Sequence, residues 1–348
     1  GQAGCNPVQL GAVTTIMVNA DFSRRAVGAG MLFLVMALVA SFNLDQRLAR
    51  QRGQIVDVEM FVAEQGGFAP ASVRVRAGEP VHFRLHGGDV AHAVAFGPGV
   101  GVESGVIAPG ERRTVTLTFA QPGVYTYYCN LWCSKEHWRM RGVIEVVDDA
   151  GQIPPAAPDP VIAALAAEGV DLDAAHGADH AQPAPQEALS PLVDAAALAT
   201  LAVPEPLRSP EWRRTHALAD AVAALAVANP GRAASEVAPA AAALWLENRA
   251  DGATAAIGDL YAKNCAACHG ARGAGDGPAA NDAATTPAAF TVATLAERRS
   301  DVLYAKIRRG GMGTGMPNFG TLFTPEESWS LVDYLWVLAL DEGMSSER

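Results

Sequence analysis

From position 54 to 148 the chain alternates apolar and polar residues in short runs. These are VDVEMFV (56 to 62), SVRVR (72 to 76), VHFRLH (81 to 86), AHAVAF (91 to 96), RTVTLTF (113 to 119), VYTYYC (124 to 129) and GVIEVV (142 to 147). They are rich in Val, Thr and aromatics and separated by Gly and Pro turns such as Ala77-Gly78-Glu79-Pro80 and Gln121-Pro122-Gly123. A two-residue period between turn signals predicts a small antiparallel sandwich or barrel, here over 53–149. The pattern differs on either side. Upstream, AVGAGMLFLVMALVASFNL (26 to 44) carries no charge over nineteen residues, long enough to span a bilayer once. A polar stretch rather than a small-residue cleavage site follows it, which favours a retained transmembrane helix over a signal peptide. The arginines flanking this run do not fix its orientation.

Downstream, 150–206 turns to Ala, Pro, Asp and Gln, the composition of an extended linker, with two apolar runs (161 to 170 and 190 to 203) suited to short helices. Ser209-Pro210-Glu211 opens a helical pattern running to Ala228, and a second helix is expected over Glu236 to Asn248. This segment, 207–250, carries no useful ligand array, and His216 reads as a surface or capping residue. A helical domain over 251–342 closes the chain. Its last helix begins at Thr324-Pro325-Glu326-Glu327, a Thr cap, a first-turn Pro and acidic residues that suit a helix N-terminus. The fold class expected is multidomain: one N-terminal transmembrane helix after a 1–25 cytoplasmic segment, an all-β sandwich and an all-α domain.

Half of the 348 residues are hydrophobic, enough for real cores. A net charge of -11 argues against nucleic acid; it suits a basic protein partner and equally serves plain solubility. The five cysteines fall as Cys5, unassigned, and the pairs Cys129/Cys133 and Cys265/Cys268, which indicates two cofactor sites rather than a disulfide framework. CNLWCSKEHWRM packs Cys129, Cys133, His137 and Met140 into twelve residues, a soft sulfur and imidazole set that selects copper. A disulfide and a zinc site fit the β context and Met140 poorly, and a mononuclear blue copper leaves one thiolate idle. A further ligand must come from a distant strand, and His92 is the best placed, ahead of His82 and His86. Cys265-Ala-Ala-Cys268-His269 is the c-type haem attachment pattern, two thiols for the vinyl groups and an imidazole for iron. No His follows His269, so Met312, Met316 and Met344 are the available thioethers.

The C-terminal segment resembles the class I cytochrome c family through Gly258, Tyr261, CAACH, GDGPAA, GMPNF and a final helix with Leu331, Tyr334 and Leu335. That resemblance implies Met316 as axial ligand, with Met312 as fallback, and the Pro278 carbonyl as acceptor from the His269 ring. Methionine ligation implies electron transfer at raised potential rather than gas binding. Residues 54 to 148 resemble the cupredoxin domain of haem-copper oxidase subunit II, through GDVAHAVAF, the APGERRTVTLTFAQPGVYTYYC strand pair and Cys-x3-Cys-x3-His-x2-Met. The resemblance implies a binuclear copper A centre. Cys129 and Cys133 bridge both metals, His92 and His137 ligate one each, Met140 is a weak ligand, and the Leu131 carbonyl is the last. Where oxidase subunits often carry an aromatic cluster, this chain has Glu64-Gln65-Gly66-Gly67, which points to electron entry by another face.

The whole then resembles a single-helix subunit II fused to a cytochrome c. The expectation is an electron relay, from a soluble cytochrome c or a membrane quinol-oxidising complex, through haem c and copper A, to a many-helix haem-copper catalytic subunit that reduces oxygen. Both cofactor domains are expected on the periplasmic or outer face of the cell membrane. A copper A type nitric oxide reductase and a free-standing membrane-tethered electron carrier are the alternatives.

Overall fold

The computed structural model describes residues 20–172, 193–247, 255–311 and 314–345. Cys5, Met312, most of the expected cytoplasmic segment and the middle of the expected linker lie outside them. The chain forms two compact units, up to Gly53 and from Gln54 onward. The first holds α1 (Ala20–Arg52), along which Met31, Phe33, Met36, Leu38 and Phe42 are exposed. Among the described residues no helix is long and apolar enough to cross a membrane, so the span expected over 26–44 is not shown here. The helix does not stop at Leu44 but continues through the charged Asp45, Arg47 and Arg50.

The second unit opens with nine strands: β1 (Gln54–Met60), β2 (Phe68–Ala69), β3 (Ser72–Arg76), β4 (Pro80–Gly87), β5 (His92–Gly97), β6 (Val102–Ile107), β7 (Arg112–Thr118), β8 (Gly123–Cys129) and β9 (Arg141–Val147). They make two sheets, ordered β2-β1-β4-β7 and β3-β9-β8-β5-β6. The expected sandwich is present, but it is not purely antiparallel. β1 pairs with β4 and β3 with β9 in parallel, because the chain crosses to the second sheet at β3 before returning beside β1. Alternation decides which faces meet: Val56, Val58 and Met60 of β1 turn inward, as do Phe83 and Leu85 of β4. Tyr127 fills the centre, its ring 5.1 Å from Phe68, its hydroxyl donating to the Pro70 carbonyl. Position 142 must be glycine, since an added Cβ would fall 2.0 Å from the Tyr127 ring.

Helices follow: α2 (Pro160–Ala167), α3 (Ala195–Ala199), α4 (Pro210–Thr215), α5 (Leu218–Ala228), α6 (Ala234–Glu247), α7 (Ala255–Asn264), α8 (Ala266–His269), α9 (Val292–Leu295), α10 (Ser300–Arg309) and α11 (Pro325–Ser345). The long helix expected from 209 to 228 is broken between α4 and α5. His216 caps α4, stacked 4.0 Å over Trp212 with its Nδ1 2.8 Å from the Trp212 carbonyl, and Asp220 caps the next helix through the Ala217 N–H. Thr324 and Glu327 form a reciprocal capping box at α11.

The described parts of 150–206 are not a free tether. Asp159 caps α2 and also accepts from Tyr304 and Arg308 of α10, each at 2.8 Å. Leu198, Leu201 and Leu207 enter the same apolar cluster as α6 and α11. A buried ion pair joins Arg213 of α4 to Asp333 of α11, and Trp245 of α6 packs edge-on against Trp336 at 5.5 Å. Segment 207–247 therefore shares its core with the C-terminal helices. Removing one side of such a pair strands the other charge in a dry core, which costs about 3–5 kcal/mol. Asp333→Ala is expected to lower unfolding stability by about that amount, measured by urea titration followed at the helical CD band.

A candidate metal centre and a candidate haem site

β8 ends at Cys129 and β9 begins just after Met140, so the intervening residues form a loop bounded by an antiparallel pair. Cys129 N–H donates to the Met140 carbonyl (3.0 Å), Met140 N–H to His137 (2.9 Å) and His137 N–H to Ser134 (3.1 Å). This closure turns the side chains inward. Cys133 Sγ lies 3.5 Å from His137 Nδ1 and 3.3 Å from Met140 Sδ, while Cys129 Sγ lies 3.3 Å from the Leu131 carbonyl oxygen. From the neighbouring strand, His92 brings its Nδ1 to 3.9 Å from Cys129 Sγ. The ligand atoms of His92, Cys129 and Cys133 all lie within 4.8 Å of one another. All six residues assigned to copper thus converge on one spot. His82 and His86 do not: they stand on β4 in the other sheet, beside Thr116 and Glu59.

Asp89 was not singled out by sequence reading. Its carboxylate accepts from His92 Nε2 (2.7 Å) and from the Val62 and Val90 amides (2.7 and 2.6 Å). The tautomer is fixed by this contact: Nε2 carries the proton and Nδ1 is left as the metal-facing donor. The available signal was a carboxylate three residues ahead of the ligand histidine. Burial pushes the His92 pKa down, but hydrogen bonds to Cys129 and Asp89 outweigh it and leave the pKa raised. The two thiols are coupled. A hydrogen bond from Cys133 lowers Cys129 well below the thiol range, and the same contact raises Cys133. One sulfur is already biased to thiolate, the form that binds metal.

The second site is chemically different. Cys265 and Cys268 stand half-buried at α8, and burial pushes Cys265 up to about 12 and Cys268 upward too. His269 donates from Nδ1 to the Ala288 carbonyl (3.0 Å) and stacks against Phe290 at 4.5 Å, leaving Nε2 as the free nitrogen. The acceptor expected from resemblance was Pro278. Here the Gly277 and Ala279 amides bind the Cys268 and Ala267 carbonyls, which pins Pro278 to the backbone of α8, and the chain returning through Ala288 supplies the acceptor. Burial lowers the His269 pKa, against the opposing Ala288 bond, and so favours the neutral imidazole a metal needs. Met316 packs onto the same apolar cluster as Cys265, Ala266 and Phe290. Loss of a second-sphere carboxylate typically costs 10–100-fold in metal affinity. Asp89→Ala is expected to weaken copper binding by about that factor with the fold intact, measured by competition with a chelator of known affinity and by CD.

Comparison with known proteins agrees with this division. The cupredoxin-like domain model matches residues 31–144, and the model for cbb3-type cytochrome c oxidase subunit III matches residues 252–335. Two relatives named cytochrome c oxidase subunit 2 come from Thermus thermophilus. One is 29% identical over 150 residues, covering 35% of this chain and 88% of its own length. The other is 31% identical over 118 residues, covering 30% and 85%. A solved periplasmic domain of cytochrome oxidase subunit II from Bradyrhizobium japonicum is 29% identical, covers 23% of this chain and 56% of that one, and has a TM-score of 0.21. With its β sandwich matched to the cupredoxin-like model and its C-terminal helices to a cytochrome c oxidase model, this chain belongs to the cytochrome c oxidase subunit 2 family, in a form whose cupredoxin domain is fused to a cytochrome c domain.

Proposed function

We propose that this chain is the electron-entry subunit of a membrane haem-copper terminal oxidase. It holds haem c and a binuclear copper A centre, and it relays electrons from a soluble cytochrome c or a membrane quinol-oxidising complex to a many-helix catalytic subunit that reduces oxygen. The observation that carries this reading is the convergence of two thiols, two imidazoles, a thioether and a carbonyl on one loop-and-strand site. One blue copper uses a single Cys; a buried thiol and a half-buried one in the same pocket fit two metals that share both sulfurs.

When bound, the copper pair and the haem supply one-electron redox chemistry; the chain's residues set its conditions. Cys129 and Cys133 would supply the two sulfurs that hold the coppers, His92 and His137 an imidazole each, Met140 a weak thioether and Leu131 its main-chain carbonyl. Asp89 orients His92, and the Cys129–Met140 backbone bond holds the loop at fixed span, which suits a site whose geometry must change little between charge states. Cys265 and Cys268 would take the haem vinyl groups, His269, whose Nδ1 is held by the Ala288 carbonyl, would offer Nε2 to iron, and Met316 would supply the thioether ligand. No gas-reducing centre is built from these residues, so that chemistry belongs to a partner. The uncharged run 26–44 of the sequence supports a single membrane anchor, with both cofactor domains on the periplasmic or outer face.

Two measurements test the sites. Cys133→Ser in the full chain is expected to cut bound copper from about two per chain to one or none, by elemental analysis. Retention of both coppers would refute the shared-sulfur assignment. Met316→Ala is expected to abolish the low-spin, methionine-ligated haem spectrum while Met312→Ala preserves it; the reverse would exchange their roles. For the assembly, the chain purified from its native membrane is expected to bring a many-helix haem subunit with it, and oxygen turnover is expected to exceed nitric oxide turnover measured side by side. A chain that migrates alone would support the free-standing carrier instead.

A further inference from the structure

Among the described residues, several contacts join the sandwich to the C-terminal helices close to both sets of site residues. β5 begins at His92 and ends at Gly97, where a Cβ would fall 2.1 Å from the Leu322 carbonyl oxygen and 3.0 Å from its carbon. That is backbone against backbone, and Leu322 lies in the stretch between Met316 and α11. Arg141, directly after Met140, donates to the Asn318 carbonyl at 2.5 Å and lies over the Phe319 ring at 5.6 Å. Lys263, two residues before Cys265, pairs at 2.8 Å with Glu103 of β6, and Glu103 is the register partner of Ala95 on β5. Between these struts a cavity of about 20 Å³ has Cys129, His137 and Met140 on one side and Asn264, Phe319 and Leu322 on the other. It has room for about one water. Tyr128, next to the first copper cysteine, is buried within the helical domain's apolar cluster.

We propose that the cytochrome domain is fixed over this face of the copper domain as a built-in cover. It closes His137 and Met140 to outside protein donors, so that every electron reaches copper through the haem site. Gly97 is the positioning residue that lets the two backbones meet. The inference rests on the relay reading above. Closeness alone would not require glycine; the missing side chain does, because the atom it would strike is a carbonyl held by its own chain rather than a movable side-chain tip. The Arg141 and Lys263 struts act in the same direction. Arg141 is the stronger, partly buried clamp, and the exposed Lys263–Glu103 pair sets register more than strength. Fixed contacts at both the His92 strand and the Met316 loop leave no swinging arm between the two sites, so the crossing distance stays constant.

The test uses the full chain loaded with haem and copper, mixed with reduced soluble cytochrome c while haem and copper absorbances are followed. In the unaltered chain copper reduction is expected to lag behind haem reduction and to reach a rate independent of donor concentration. Gly97→Ala, the smallest wedge, is expected to slow that phase several-fold and to add a second copper phase that rises linearly with donor concentration, with metal and haem contents unchanged. Hydroxyl-radical footprinting is the readout independent of electron flow: Tyr128 is expected to be protected in the unaltered chain and exposed in Gly97→Ala. If Gly97→Ala does not load its cofactors, Arg141→Ala and Lys263→Glu carry the same expectation, with Glu103→Lys restoring the last. Copper reduction in the unaltered chain that scales with donor without a lag would overturn the proposal, as would variants that leave the copper phase and Tyr128 unchanged. Failure of the relay itself looks different: haem becomes reduced and copper never follows in any chain.

Discussion

The bond from the Cys129 amide to the Met140 carbonyl is the constraint on which the metal centre depends. It continues the pairing of β8 with β9 to the mouth of the loop and fixes how far apart the loop's ends stand. With that span set, the intervening residues have to turn back on themselves, and the turn at His137 points its ring and the Cys133 sulfur into the same pocket. A longer or looser span would leave soft donors in contact with water, where metal-free thiols oxidise. His92 is the exception to this local logic. It comes from a separate strand and is held by Asp89, whose carboxylate two backbone amides fix in turn. The site is therefore half local loop and half tertiary structure.

The same economy extends to the helical part. Haem-type residues on α8 and the Met316 loop would sit on a small domain if α7 to α11 stood alone. Segment 195–247 enlarges that core, with Arg213 paired to Asp333 and Trp245 set against Trp336. Its run of buried alanines, Ala240 to Ala243, lets α6 approach α3 and α5 closely. Farther back, Asp159 and Glu168 bind α10 through Arg308 and Arg299. A stretch whose composition suggests a tether thus becomes a strap where it carries acidic residues and leucines.

What the sequence makes legible follows from how local the cause is. Strands with clean alternation were found within about two residues, because the inward face dictates every second position. β6 was missed: Gly105, with φ +67°, and a register shift opposite Ala93 and Ala95 interrupt its period. β2 is only two residues long. The parallel pairs were not legible, because they follow from where a crossing strand lands rather than from any run of residues. At the sites, the ligand types and spacings were plain in the chain, whereas partners supplied by folding, Asp89 on His92 and Ala288 on His269, were not. The break at His216 shows the same rule in a helix: apolar periodicity ran through it, and a Trp212–His216 stack with an Asp220 cap decided otherwise.

The central claim is that the two thiols of one loop serve two metals as a single redox unit. Electron paramagnetic resonance of the oxidised full chain tests it most directly. One unpaired electron spread evenly over two copper nuclei, with hyperfine splitting from both, is the result this account predicts. A spectrum showing coupling to a single copper nucleus, with one copper per chain, would contradict it.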